Sequence, residues 1–228
     1  MNRERNLDSA LAVVSLLTFI TALGAVFFYA PTEATMGDVQ RIFYFHVASA
    51  WVGFFGFFVT FVGSIGYLAT RARRWDTLAL ASAEVGLAFI SMTVVTGMLW
   101  ARPVWGVYWT WEPRLTISAV QWLLYVAYVM LRGSVVNHER EARFAAVYGI
   151  LAFVTVPLSW FAIRWWRTIH PVVLTGSGLA LTQKMQHTLF LALGACTLVY
   201  ITLLRQRIHL EHARDVLESL LNDQYDRR

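Results

Sequence analysis

The chain has 228 residues, 57% of them hydrophobic and only 14% charged, with a formal net charge of +5. That balance excludes an ordinary soluble domain, and six spans of roughly 20 residues would occupy about half of the length. No basic stripe on a soluble domain supports nucleic-acid binding, and the single cysteine, Cys196, excludes an intrachain disulfide or a CxxC redox pair.

The first predicted element follows Arg3 and Arg5. An apolar run from Ser9 to Ala30 exceeds the roughly 7–15 residues of a cleaved signal segment, which predicts a retained transmembrane helix. Further apolar runs at 42–69, 77–99, 116–131, 144–163 and 186–204 predict five more helices. Strands cannot satisfy their backbone singly in lipid, and no period-two alternation supports a barrel. The expected fold class is therefore all-α, a polytopic six-helix membrane bundle forming a single domain over residues 1–228. Pro31 and Pro171 fall in connections, while Pro157 predicts a kink inside the fifth span.

Sidedness follows from the basic residues. The N-terminus, the 70–76 and 132–143 turns and the tail hold thirteen lysines and arginines, against six in the opposite connections. The positive-inside rule then puts both termini in the cytoplasm and turns 31–41, 100–115 and 164–185 outward. Nine of the ten tryptophans (Trp51, Trp100, Trp105, Trp109, Trp111, Trp122, Trp160, Trp165 and Trp166) lie toward that outer side, and Trp75 lies toward the inner. An interfacial aromatic belt forms at both interfaces, so the asymmetry points instead to an outer platform suited to a large planar ligand.

Two histidines accompany the platform. In span two, His46, Ser49, Gly53, Gly56, Thr60 and Gly63 recur at helical spacing on one face. Small residues in that pattern mark close helix packing, so His46 is expected to point into the bundle rather than into lipid. His170 lies in the third outer connection, within Trp165-Trp166-Arg167-Thr168-Ile169-His170. Each histidine alone is compatible with a hydrogen-bonded structural role. As a pair beside tryptophans and the outward arginines Arg102, Arg114, Arg164 and Arg167, they are candidate axial ligands of a haem iron, with arginines available to its propionates. His187, at the outer start of span six, is expected to be structural. Glu84, inside the third span, is expected to snorkel inward or to be protonated. In the tail, 206–228, Leu210, Ala213, Leu217, Leu220 and Leu221 form an apolar stripe opposite Glu211, Arg214, Asp215 and Glu218. It suits a short helix lying on the membrane or the bundle, or docking to a partner.

Three segments carry a resemblance: Arg41 to Val47 with Ala50-Trp51, Trp105 to Thr116, and Trp165 to His170. Together with span number and loop placement they resemble the CcmC family, haem-handling membrane subunits of system I cytochrome c maturation. The second segment, Trp105-Gly106-Val107-Tyr108-Trp109-Thr110-Trp111-Glu112-Pro113-Arg114-Leu115-Thr116, is similar to that family's WWD motif. It departs from the usual pattern in having Glu112 for Asp and Tyr108 for a tryptophan. The resemblance implies haem b held axially by His46 and His170 on the outer face of a bacterial inner membrane. Trp105, Tyr108, Trp109, Trp111, Glu112 and Arg114 would bind it, with Trp51, Trp165, Trp166 and Arg167 beside them. It further implies transfer to a CcmE-like chaperone, in company with a CcmD-like small subunit and CcmA–CcmB-like transporter subunits.

Three rivals stand beside this reading. A respiratory cytochrome b would want haem ligands at both leaflets, and a system II synthetase would be longer, with an extra external domain. A secondary transporter would show broken helices and midplane charges, at which only Glu84 and Pro157 hint.

Overall fold

The computed structural model describes residues 2–133, 137–166, 168–171, 173–176 and 178–226. Seven α-helices account for most of them: α1 (Asn2–Gly24), α2 (Arg41–Thr70), α3 (Arg73–Trp105), α4 (Pro113–Leu131), α5 (His138–Phe153), α6 (Thr155–Trp165) and α7 (Gln183–Asp226). With α5 and α6 taken as one interrupted rod, six helical segments among the described residues are long and apolar enough to cross a membrane. The expected all-α, six-span bundle is what forms.

Local chemistry sets the helix ends. One π-helical turn, Ala25–Tyr29, closes α1 when the Ala30 N–H bonds the Ala25 carbonyl at 2.8 Å. Pro31 then holds Ala30 extended. Between α5 and α6 the chain breaks at Val154, as Pro157 predicts, because its ring lacks an N–H and crowds the Phe153 carbonyl. Pro103 does not have that effect. Helix α3 runs through it to Trp105 and ends where Gly106 takes φ +77 and donates to the Arg102 carbonyl at 3.0 Å. Glu112 then caps α4, with Pro113 in its first turn. The outer connection expected over 100–115 is thus shorter: Trp100, Arg102 and Trp105 stand on the last turns of α3, and only 106–112 lie outside helices.

The small-residue face of α2 packs on α3 as expected. A Cβ on Gly56 would come within 3.0 Å of the Gly86 Cα and 3.3 Å of the Ser82 carbonyl oxygen, and one on Gly63 within 3.0 Å of the Trp75 carbonyl oxygen. Backbones approach closely there, which is how helices gain contact area without a hydrophobic drive between them. Helix α1 lies against α7, where Ser15 and Thr202 share a hydroxyl hydrogen bond of 2.8 Å.

Charged groups close the end of the bundle opposite His46. Buried Asp76 receives Arg132 at 2.6 and 2.8 Å and Arg73 at 2.6 Å, while Glu211 receives Arg207 at 2.6 Å. Glu84 neither snorkels alone nor stands unpaired; its carboxylate takes the Arg207 guanidinium through both oxygens. A buried carboxylate persists in an apolar surrounding because such partners replace its water. The tail is helical, as a continuation of the last span rather than a separate short helix. Helix α7 continues unbroken to Asp226, with Glu211 and Asp215 turned toward Arg73 of α3, so the leucine stripe faces outward, Leu210 being 64% exposed.

Candidate functional site

Near the start of α2, the His46 ring leans on α3. Its Nδ1 lies 3.2 Å from the Thr96 hydroxyl, and a Cβ at Gly97 would come within 3.0 Å of its Cε1. The small-residue face described above lets α3 come close enough to support the ring.

His170 reaches the same place from the connection between α6 and α7. That segment has little secondary structure, apart from a two-residue antiparallel pairing of Leu174–Thr175 with Gly178–Leu179. A short chain of hydrogen bonds fixes its start. The Glu112 carboxylate caps α4 through the Leu115 N–H at 3.2 Å and accepts the Thr168 hydroxyl. Thr168 Oγ1 in turn accepts the His170 N–H at 3.0 Å. The ring of His170 lies 6.4 Å, centre to centre, from that of His46. Two imidazoles that share one metal ion through bonds of roughly 2 Å have ring centres about 6 Å apart, and the observed separation is compatible with that arrangement.

The protonation state is also suited to a metal. His170 Nδ1 lies 3.2 Å from the Pro171 carbonyl, which can only accept, so the ring hydrogen is on Nδ1 and Nε2 keeps its lone pair. Burial, reinforced by Arg114 and His46, pushes its pKa down to about 3, so the ring is neutral at physiological pH.

Around the two rings is an apolar cavity between α2, α3 and α4, walled by Phe43, Trp100, Trp105, Tyr108 and Trp109. Arg114 lines it from the first turn of α4 and donates to the Ser159 carbonyl of α6 at 3.1 Å. Phe54, Ile90 and Gln121 line its deep end. One turn further in, Phe57 and Tyr125 stack with centroids 3.3 Å apart, both fully buried. The free space, about 120 Å³, is less than the roughly 300–1,000 Å³ of a pocket that encloses a ligand the size of haem. The cavity as folded therefore does not enclose such a ring, and bringing its centre to the two imidazoles requires the His170 segment to shift. Its donor set fits haem: two imidazoles, aromatic walls, an arginine, and the buried Trp109 Nε1, which has no hydrogen-bond partner among the described residues.

The sequence-predicted residues thus divide. His46, His170, Trp105, Tyr108, Trp109 and Arg114 share the cavity. Trp51, Trp111, Trp165 and Trp166 are exposed and do not line it, Trp111 at 77%. Glu112 acts on the backbone and on Thr168 rather than in the cavity, and Arg167 lies outside the described residues. His187 is turned away, hydrogen-bonded through Nδ1 to the Tyr29 hydroxyl at 3.1 Å. Sequence reasoning missed Thr96, Gly97 and Gln121. Gln121 had a signal, an amide within an apolar run; both polar atoms of its fully buried side chain lack a hydrogen-bond partner. Thr96 and Gly97 had none, since only the fold sets them against His46.

Comparison with known proteins agrees over almost the whole length. The family model described as heme exporter protein C matches residues 1–221. A heme exporter protein C of Bradyrhizobium diazoefficiens is 34% identical over 176 residues, covering 76% of this chain and 67% of the relative. One from Haemophilus influenzae is 28% identical, covering 80% and 76% respectively. A putative cytochrome c biosynthesis ccmC-like mitochondrial protein of Marchantia polymorpha is 26% identical, covering 78% and 77%.

Proposed function

The chain belongs to the heme exporter protein C family, and from that premise we propose that it holds haem between His46 and His170 and passes it to a CcmE-like chaperone. Its role is haem handling for cytochrome c maturation. The observation that carries the finer reading is the 6.4 Å spacing of the two imidazoles in one aromatic cavity. Haem b is the form expected, because ligation by side chains needs no covalent attachment to this chain.

The residues divide the work. Trp105, Tyr108 and Trp109 offer ring faces and edges for stacking. Arg114 offers guanidinium N–H groups to a propionate. His46 is fixed on a helix, whereas His170 is carried by a connection, so His170 is the ligand that yields when haem leaves. Exposed Trp111, Trp165 and Trp166 suit the approach of the chaperone. The thirteen-to-six distribution of lysine and arginine supports an outward, periplasmic site on the bacterial inner membrane. Within the Ccm system a CcmD-like subunit and CcmA–CcmB-like transporter subunits are the other expected partners.

The cytochrome b alternative would use histidines at the opposite end. There His209 and His138 face carboxylates, Asp8 at 3.3 Å and Glu218 at 3.8 Å, an arrangement suited to ion pairing. The test is an absorption spectrum of the purified protein, with and without a co-expressed chaperone. A bis-imidazole spectrum, diminished as haem appears covalently on the chaperone, is expected. Haem retained by the protein and never found on the chaperone would favour the cytochrome.

A further inference from the structure

The geometry points to Thr96 as the positioning residue for His46: its hydroxyl accepts the Nδ1–H of the ring, selects the tautomer and turns a bare Nε2 toward the cavity. The inference rests on the reading that His46 takes the haem iron. Thr96 Oγ1 has three neighbours, the Met92 carbonyl at 2.7 Å, the Thr93 carbonyl at 3.2 Å and His46 Nδ1 at 3.2 Å. A hydroxyl has one hydrogen, and carbonyls only accept. The Met92 carbonyl is the nearest of the three by 0.5 Å, which assigns the hydrogen to the backbone of α3 and leaves a lone pair for His46. A bond at Nδ1 then requires the ring to be the donor. In a neutral imidazole that leaves Nε2 without a hydrogen.

Gly97 completes the seat. With a Cβ there, only 3.0 Å from His46 Cε1, the ring would be pushed off the Thr96 hydroxyl. Beside Thr96, the Thr93 carbonyl of α3 also hydrogen-bonds the His46 ring, and a carbonyl, which only accepts, calls for a ring N–H as well. The supports of His46 and His170 differ in kind. His170 bonds the main chain of its own neighbour, Pro171, and keeps its tautomer wherever the connection moves. His46 is held across a helix–helix interface by a residue 50 positions away, and keeps its tautomer only in place. Thr96 thereby makes His46 the fixed member of the pair.

The test uses the full chain in detergent, with haem titrated into Thr96→Val, Thr96→Ser and His46→Ala proteins. Outer-shell partners of metal-bound histidine contribute roughly 10–100-fold in affinity. Thr96→Val, which keeps the shape but not the acceptor, should weaken haem binding at least tenfold and raise the midpoint potential, because the ring becomes a poorer donor to ferric iron. Thr96→Ser should restore both. If Thr96→Val matches the parent in affinity and potential while His46→Ala loses its ligand spectrum, the role given to Thr96 is wrong and the haem reading stands. If His46→Ala leaves the spectrum unchanged, the ligand assignment itself fails. If Val and Ser variants are equally weak, packing rather than the hydrogen bond is responsible, and the proposal falls. The haem-free, unmutated protein gives an independent check. Imidazole ¹⁵N shifts, assigned by the signal missing from His46→Ala, should report hydrogen on Nδ1, and a predominant Nε2–H form would overturn the inference.

Discussion

The carboxylate of Glu112 accepts the hydroxyl of Thr168, joining the first turn of α4 to the connection that carries His170. Asp is the more usual cap, but Glu has one more methylene, and here it reaches the Leu115 N–H with one oxygen and Thr168 with the other. Glu112→Ala should cost about 0.5–2 kcal/mol through the lost cap and also speed haem dissociation. Glu112→Asp should keep the melting temperature near that of the parent and still speed dissociation, because the shorter arm keeps the cap and loses Thr168. Thermal melts and haem transfer to apomyoglobin measure the two effects separately.

The proposed ligand pair would have a spectral signature. His46→Ala and His170→Ala should each give weaker, altered haem spectra rather than a bare protein, since Trp105, Trp109 and Arg114 would still line the site. Added imidazole should restore a six-coordinate low-spin spectrum in both. His187→Ala should resemble the parent, because that ring bonds Tyr29. Loss of haem from His187→Ala, with His170→Ala unchanged, would reverse the assignment.

His170 sets a pH dependence whose sign is fixed. Its pKa in the fold, about 3, lies below the roughly 6.5 of an unfolded histidine. Below that higher value the unfolded chain takes up a proton that the folded chain refuses. Stability of the haem-free protein should therefore be level above about pH 6.5 and should fall as the pH drops toward 3. Haem ligation should stay unweakened from pH 8 to about 5.5, and a tenfold loss per unit below 6.5 would contradict the neutral ring. Melting curves and haem titrations at stepped pH values check both.

Two glycine substitutions should act in opposite directions. At Gly56 an added methyl meets backbone atoms of Gly86 and Ser82, which cannot rotate away. Overpacking of this kind costs about 1–3 kcal/mol, more than the roughly 1 kcal/mol that alanine gains in helix propensity. Gly56→Ala should lower the melting temperature. Gly194, with nothing within 4 Å of its Cβ position, should accept alanine with no loss or a small gain.

Sidedness is tested by reporter fusions. Those placed after Arg74 and after Arg143 should behave as cytoplasmic, and those near Glu112 and Gly178 as external. An external signal at Arg74 would put His46 and His170 on the cytoplasmic side.

The spans were legible because lipid imposes a single rule on the backbone, and Pro157 and the face from His46 to Gly63 were legible because helical spacing is local. The reach of α3 was not. Trp100, Pro103 and Trp105 have the composition of a loop, but a proline in the last turn displaces few backbone bonds and Gly106 supplies the stop. Pairs such as Glu84 with Arg207, 123 residues apart, leave no trace in a local pattern. Nor does a stripe of leucines reveal whether it or its charged opposite face turns inward, and Arg73 of α3 draws the charged face of α7 in through Glu211 and Asp215. The tryptophans resisted for a similar reason. Composition puts nine toward one end, and only the packing of α2, α3 and α4 separates Trp105 and Trp109 in the cavity from Trp51 and Trp111 outside it.

The stacked pair beneath the cavity, Phe57 on Phe54's next turn and Tyr125 on Gln121's, bears on membrane permeability. A hollow that receives a porphyrin from one side also admits water, and water in an unbroken file conducts protons. Phe57 and Tyr125, face to face and fully buried, stand between Gln121 and the Asp76–Arg132 charges at the far end, where they would interrupt such a file. A site open to water at one end would then not by itself short-circuit the proton gradient across the membrane.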